Sequence, residues 1–205
     1  MNVQANAISD ERRQRAYRQG MSFRQFIDQA KTNKELMLSN YDACDVTLEE
    51  LDAIRRLDHP VDVIVLAQDW CGDVASNLPL FAKIEQLTGK LKLHILNRDP
   101  DNWDIAEAYP AKDGKTRIPT YIFFNHKGEQ LGVFIERPEE ITAMIPAWRQ
   151  RFWEQHPQWN WDGRSLDAIG EEGVAAWRAF MMAQRQAVRH IEKEAIIRAI
   201  ESIVA

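Results

Sequence analysis

The stretch "QDWCGDVASNLP", residues 68–79, places a single cysteine between an apolar run and a segment of helical character. The run before it, "VDVIVLAQ" at 61–68, is short and β-branched, which is typical of a strand buried on both faces. A thiol in the first turn of the helix that follows would meet unpaired N–H groups and the positive end of the helix dipole, which favour thiolate. Cys71 is therefore a candidate reactive residue, and the alternative is a small apolar residue at a strand end.

Further along the chain the pattern predicts a mixed sheet. "LKLHILN" at 91–97 is a second strand, and strand–helix–strand order implies a parallel βαβ unit. "TYIFFNHKGEQLGVFIE" at 120–136 consists of two strand-like runs joined by a polar turn with Gly128, which predicts an antiparallel hairpin. A helix that begins after Pro138 would close the domain near Trp153.

Helical segments are expected on both sides of this domain. "SFRQ" at 22–25 and "TLEE" at 47–50 match the capping box and predict two helix starts. After residue 153 a polar connection leads into a long amphipathic helical tail. The predicted division is a helical N-terminal extension (1–58), an α/β domain (59–153) and a loop with the helical tail (154–205).

Aromatic side chains gather around the joint between the α/β domain and the tail. We interpret them as packing anchors, which would mark an interface if they were exposed: Trp148, Trp153, Trp159, Trp161 and Trp177. Gln184 and Arg198 interrupt a coiled-coil heptad in the tail. The tail is therefore expected to pack on the protein's own core or on a second subunit in a homodimer.

Composition narrows the class of protein. The chain has 205 residues, of which 45% are hydrophobic and 28% charged, with a formal net charge of −5. These values suit a folded domain with additions and argue against nucleic acid as the main partner. No apolar run approaches the roughly 20 residues of a membrane span, and no signal-peptide pattern is present, so a cytoplasmic location without a membrane partner is expected. The two cysteines, Cys44 and Cys71, form no disulfide framework, and Cys44 is interpreted as a core residue.

The order of these features resembles the thioredoxin family. Trp-Cys-Gly at 70–72 lies between a buried strand and a helix, and Ile-Pro-Thr at 118–120 precedes the hairpin. The resemblance covers residues 59–153, and "DWCGD" followed by "NLPLFAKI" is similar to a bacterial branch with the motif Trp-Cys-Gly-Asp-Cys. It implies a thioredoxin-like α/β fold, with three α/β/α layers, a mixed central sheet and helical extensions at both ends.

The resemblance also implies roles for individual residues. In the family the first cysteine, here Cys71, attacks a substrate disulfide. The backbone beside the family's cis-proline, here Pro119, pairs with an extended peptide or thiol substrate as an added strand. By the same match, the substrate-binding positions are Trp70, Gly72, Asp73, Ile118 and Pro119.

Two departures from the family pattern affect the expected chemistry. Val74 occupies the place of the second, resolving cysteine, and Val65 stands where thioredoxins carry a buried aspartate that serves as general base. The two losses agree with each other, because that base deprotonates the resolving thiol. Dithiol turnover is therefore excluded. The carboxylates of Asp73 and Asp69 would raise the pKa of Cys71, against the helix dipole, which leaves the net direction open.

No cofactor or metal is expected. Neither a phosphate-binding loop nor a dinucleotide-binding glycine pattern appears, and the histidines lack ligand spacing: His59, His94, His126, His156 and His190.

Three interpretations follow. The first is a thiol redox protein whose Cys71 forms mixed disulfides with a protein or a low-molecular-weight thiol. The second is a degenerate module that binds a partner without redox turnover, through the Pro119 groove or the helical extensions. The third, minor one treats Val74 as an engineered change or a sequencing variant of a dithiol protein.

Overall fold

The computed structural model describes residues 6–159 and 166–205. Its elements, in chain order, are α1 (Asp10–Gln19), α2 (Phe23–Gln29), α3 (Lys34–Asp42), α4 (Asp52–Arg55), β1 (Val61–Ala67), α5 (Gly72–Thr88), β2 (Leu91–Asn97), α6 (Trp103–Ala108), β3 (Thr120–Phe124), β4 (Gln130–Ile135), α7 (Glu139–Gln155), two 3₁₀ turns (Pro157–Trp159 and Leu166–Ile169), α8 (Gly170–Ala187) and α9 (Arg189–Val204).

The four strands form one mixed sheet in the order β2-β1-β3-β4. β1 pairs with β2 in parallel and with β3 antiparallel, and β3 pairs antiparallel with β4. Gly128, in the turn between β3 and β4, has a φ of 78°, a backbone conformation that glycine adopts without strain. The predicted strands, the βαβ unit and the hairpin are confirmed.

Helices cover both faces of this sheet. On one face Phe81 of α5 stacks on Tyr121 of β3 with ring centroids 3.8 Å apart, and Phe134 of β4 lies beside both rings. On the other face α1 and α6 join the sheet in a buried cluster whose members include Ala16, Ile64, Leu66, Leu96, Ile105, Ile122 and Phe124. Alternate residues of β3 serve the two faces, as the pleat of a strand requires. This is the expected three-layer α/β/α arrangement.

Only one of the two predicted helix starts in the N-terminal segment behaves as expected. Ser22 caps α2 with a complete capping box. The hydrogen bonds between Thr47 and Glu50 also form, but the residues that follow make a turn, and α4 is a four-residue helix that begins at Asp52. Leu48, which a longer helix would have buried, is 47% exposed. The hydroxyl and carboxylate therefore stabilise a turn rather than a helix end.

The chain divides into two compact units. The first comprises the described residues up to Arg137 together with Ile197–Ala205, and the second the described residues of Pro138–Ile196. The division predicted from the sequence stays a prediction. In the part of the chain that the structure describes, no helix is long and apolar enough to cross a membrane.

The second unit contains most of the predicted aromatic joint. Phe152 lies at the centre of its ring contacts, with Trp177 edge-on at 5.1 Å and Trp159 stacked at 5.7 Å. Trp153 and Trp177 stack on each other. Trp161 lies outside the described residues. These contacts agree with the interpretation of the tryptophans as packing anchors.

The tail consists of two helices rather than one. α8 ends at Ala187 and α9 begins at Arg189, and a buried ion pair between Arg185 and Glu192 joins them. Near the end of α9, the Ile203 side chain lies against Gly132 of β4, within the first unit. The last turns of the tail therefore pack on the protein's own sheet, which is one of the two alternatives that the sequence left open.

Candidate functional site

Cys71 lies where the sequence predicts it, between β1 and α5. It is the N-cap residue of α5, with extended backbone angles, and its carbonyl accepts a hydrogen bond from the Ala75 N–H at 3.0 Å. The thiol is half-buried, and its Sγ donates to the Ile118 carbonyl oxygen at 3.5 Å. The first turn of a helix thus presents a partly accessible sulfur to a second chain segment.

That second segment reaches Cys71 because of the sheet order. Ile118 and Pro119 precede β3, which pairs antiparallel with β1, so the start of β3 lies beside the end of β1. The Ile118–Pro119 peptide bond is cis. The Pro119 carbonyl accepts the Glu136 N–H at 2.7 Å, which fixes the segment to the chain after β4. Two motifs about 47 residues apart therefore meet at one sulfur.

Val74 and Val65 are both fully buried. Val74 lies in the first turn of α5, three residues after Cys71, and Val65 lies in β1 between Ile95 of β2 and Tyr121 of β3. Neither side chain can donate or accept a proton. At the two positions where the family resemblance implies a resolving thiol and its base, the structure thus has buried apolar side chains.

Asp73 forms a bidentate ion pair that the sequence did not predict. Arg137 donates from Nε to Oδ1 at 2.8 Å and from Nη2 to Oδ2 at 2.6 Å, and its Nη2 also contacts the Glu136 carboxylate at 2.7 Å. The side chains of Asp73 and Arg137 are 11% and 18% exposed. No local spacing signals this pair, because 64 residues separate its members.

Asp69 is held by the N-terminal segment. Its carboxylate accepts the N–H groups of Lys31 and Thr32 at 2.7 and 3.0 Å, and its carbonyl accepts the Asn33 amide at 2.9 Å. Two backbone N–H groups therefore fix the Asp69 carboxylate. These bonds connect the loop between α2 and α3 to the residues just before Cys71.

Burial raises the pKa of the Cys71 thiol above its ordinary value, and the Asp73 carboxylate raises it further. The N–H groups of Val74 and Asp73 and the Arg137 guanidinium act in the opposite direction, with smaller effect. The sequence left the net direction open, and the structure gives it: burial outweighs the helix N-terminus. At neutral pH the thiol form predominates.

The remaining predicted positions differ in exposure: Ile118 and Pro119 are buried, whereas Gly72 and Trp70 reach solvent. Gly72 is exposed, and the Trp70 side chain is 54% exposed. Trp103, at the start of α6, is also exposed and carries the Arg98 guanidinium 4.5 Å above its ring. Gln68 donates to the Asp99 carbonyl at 3.4 Å, which links the chain ends of β1 and β2. The chain segments that follow the carboxyl ends of β1 and β2 thus carry exposed aromatic side chains as well as Cys71.

Other candidate groups are less organised. Cys44 is half-buried after α3 rather than part of the core, and neither cysteine forms a disulfide. The rings of His59 and His126 lie in contact, tilted by 38° with centroids 4.0 Å apart, a contact that their sequence spacing did not indicate. Within residues 6–159 and 166–205, no three His, Cys, Asp or Glu side chains are grouped as a metal site would require.

Comparison with known proteins agrees with this geometry. The family model described as Thioredoxin matches residues 20–149, which is more than half of the chain. A comparison with curated protein sequences gives no match.

Two solved structures are similar in fold. An HIV epitope-scaffold is 15% identical with a TM-score of 0.61, and the alignment covers 93% of this chain and 96% of that one. A protein of unknown function, PA1234 from Pseudomonas aeruginosa, is 16% identical with a TM-score of 0.57, covering 92% and 94%. Such identities show the fold alone. Because the family match spans the sheet, Cys71 and the segment beside it, the chain belongs to the thioredoxin family.

Proposed function

We propose that the protein uses Cys71 as a single exchange thiol that forms mixed disulfides with a protein or low-molecular-weight disulfide. The observation that carries this proposal is the position of the Cys71 sulfur, half-buried at the N-terminus of α5 and 3.5 Å from the Ile118 carbonyl. A purely structural cysteine would need neither partial access to solvent nor a neighbouring backbone segment able to align a substrate.

The exchange proceeds in two balanced steps. The Cys71 thiol first loses its proton to solvent, and the thiolate attacks one sulfur of the substrate disulfide. A Cys71–substrate bond forms, the substrate bond breaks, and the leaving thiolate takes up a proton. An external thiol, as its thiolate, then attacks the substrate sulfur of the mixed disulfide. A disulfide forms between the external thiol and the substrate, the bond to Cys71 breaks, and the Cys71 thiolate takes up a proton from solvent. The external thiol is required because the buried Val74 side chain cannot resolve the intermediate.

Alignment of the substrate would come from the segment beside Pro119. In the described part of the chain, no backbone acceptor takes the Ile118 N–H, although Ile118 and Pro119 are themselves buried. A substrate that reaches this segment beside the Cys71 sulfur would bond to the N–H as an added strand does. The exposed Trp70 residue directly precedes Cys71 in the chain, and its ring would contact the substrate's apolar atoms. We therefore favour, as substrate, a disulfide whose cysteine lies in an extended peptide segment.

A second candidate function is a binding module without redox turnover. The raised pKa of Cys71 favours it, because a thiol that stays protonated at neutral pH attacks disulfides slowly. In this alternative the Pro119 segment binds an extended partner that carries no disulfide. The predicted homodimer through the tail stays a prediction under either function.

The test is mixed-disulfide formation with glutathione disulfide, followed by intact mass in a Cys44→Ala background. We expect one glutathione per folded chain, loss of the adduct on addition of excess thiol, and faster formation as the pH rises. A Cys44→Ala/Cys71→Ser chain is the matched control and should gain no adduct. If the Cys44→Ala chain stays unmodified above pH 9 while folded, the exchange function is wrong and the binding module is favoured.

A further inference from the structure

We propose that Arg137 is a positioning residue for Cys71, which acts by holding the Asp73 carboxylate in a bidentate ion pair. The inference rests on the proposed function only in taking Cys71 as the reacting thiol. Arg137 belongs to none of the motifs that mark the site in the sequence. Arg137 lies just after β4, and its side chain contacts Asp73 in the first turn of α5, 64 residues earlier in the sequence.

The geometry of the Asp73–Arg137 contact is that of a well-ordered ion pair and not of a transient contact at the surface. Both parallel hydrogen bonds, at 2.8 and 2.6 Å, are short, as expected of an arginine–carboxylate fork. Both side chains are largely shielded from solvent. The fork holds the Asp73 carboxylate in one orientation. Asp73 lies two residues after Cys71 in the chain, so this orientation is fixed close to the thiol.

The neighbouring backbone holds Arg137 in place. Its predecessor Glu136 has a φ of 65°, which is uncommon for a residue with a side chain. The Glu136 N–H donates to the Pro119 carbonyl at 2.7 Å, and its carbonyl accepts the Asn77 amide at 2.6 Å. Pro119, Asn77 and Asp73 are thus tied to two consecutive residues. The segment links the chain just before β3 to the helix that follows the thiol.

Among the residues that the structure describes, two charged groups, Asp73 and Arg137, act on the Cys71 thiol and oppose each other. Asp73 disfavours thiolate and Arg137 favours it, and the effect of Asp73 is the larger. The remaining polar neighbours are the N–H groups of Asp73 and Val74 and the Ile118 carbonyl. Because Arg137 offsets part of the effect of Asp73, removal of the guanidinium would strengthen the net effect of the carboxylate on the Cys71 thiol.

The Cys71 pKa is expected to follow a definite order among variants in the Cys44→Ala background. Asp73→Asn should lower the pKa by about one unit, since the charge that disfavours thiolate is removed while the guanidinium, still paired with Glu136, remains; Arg137→Gln should raise it by about one unit. The double variant should fall slightly below the parent, because the larger of two opposing charges has been removed. Arg137→Lys keeps the charge but not the fork, and should lie between the parent and Arg137→Gln.

The measurement is the pH dependence of Cys71 alkylation by iodoacetamide. At a pH below the pKa of Cys71, lowering that pKa by one unit raises the thiolate fraction tenfold. A thiolate of lower pKa is also a weaker nucleophile, which offsets part of the gain. The alkylation rates of two variants at pH 7 should therefore differ roughly threefold for each unit of pKa difference. Arg98→Gln is the matched control, because Arg98 pairs with Asp99 near the same sheet edge and is not among the groups that act on Cys71. Its profile should overlay that of the parent.

An unchanged or lowered pKa in Arg137→Gln would overturn the inference, as would an equal shift in Arg98→Gln. If Arg137→Gln does not fold, Asp73→Asn and Arg137→Lys decide the question by the same profiles, and a parental pKa in both overturns it. The two proposals can fail separately. Alkylation profiles in the expected order without a glutathione adduct would contradict the exchange function and leave the role of Arg137 standing.

Discussion

Replacement of Val74 by cysteine is expected to convert the single-thiol site into a reversible dithiol. Val74 lies three residues after Cys71 in the first turn of α5, and residues at this spacing have Cβ atoms about 5–6 Å apart. Disulfides need Cβ atoms about 3.5–4.5 Å apart, so a small adjustment of the first turn suffices. The resolving step would become intramolecular, and disulfide reductase turnover should rise on the order of 10²-fold.

The assay is insulin reduction with dithiothreitol as electron donor, together with intact mass of the oxidised protein. Oxidised Val74→Cys should lose two hydrogens and resist alkylation at Cys71. Val74→Ala is the matched control, because it removes similar apolar volume and adds no thiol. If Val74→Cys reacts no faster than Val74→Ala, something other than the missing thiol limits turnover. Val65, which leaves the introduced thiol without a buried base, would be the first residue to substitute.

Truncation of Phe81 to alanine should lower the free energy of unfolding by a large amount. Phe81 is fully buried in α5 and stacks on Tyr121 with ring centroids 3.8 Å apart, beside Phe134. Removal of a buried phenyl ring forfeits its transfer free energy and leaves a cavity among rings that cannot collapse into it. We expect the free energy of unfolding to fall by about 3–5 kcal/mol.

Urea denaturation of the two proteins measures this difference. Leu87→Ala is a control on the same helix, because Leu87 is 37% exposed near the end of α5, and its loss should change the free energy by less than about 1 kcal/mol. Equal losses in the two variants would show that α5 is not anchored to the sheet by Phe81. The position of Cys71 at the start of this helix would then need another explanation.

Periodicity and residue type predict most of the sheet. β1 and β2 occupy the apolar runs at 61–67 and 91–97 because β-branched and alternating patterns suit strands that are buried on one or both faces. The turn at Gly128 needs a positive φ and carries the residue that adopts it. The helix start predicted from the capping box at Thr47 was wrong, because the same side-chain hydrogen bonds stabilise a turn as well as a helix start.

The site is less predictable, because its decisive contacts join distant residues. The strand–helix junction and the proline before β3 mark Cys71 and Ile118, and pairing of β3 with β1 brings them together. The ion pair of Asp73 with Arg137 and the bonds from Lys31 to Asp69 depend on side-chain positions that no local pattern encodes. Burial of the thiol, which sets the direction of its pKa shift, is likewise a property of the folded chain.

The measurement that decides between exchange and simple binding is the stoichiometry of leaving-group release from an aromatic disulfide. Dithiobis(nitrobenzoate) releases one coloured thiolate for each protein thiol that attacks it. For the folded Cys44→Ala chain we expect one equivalent, at a rate that rises with pH through the raised pKa of Cys71, and full recovery of the thiol on addition of glutathione. No release from the folded chain, with one equivalent only after denaturation, would contradict the proposal that Cys71 is an exchange thiol.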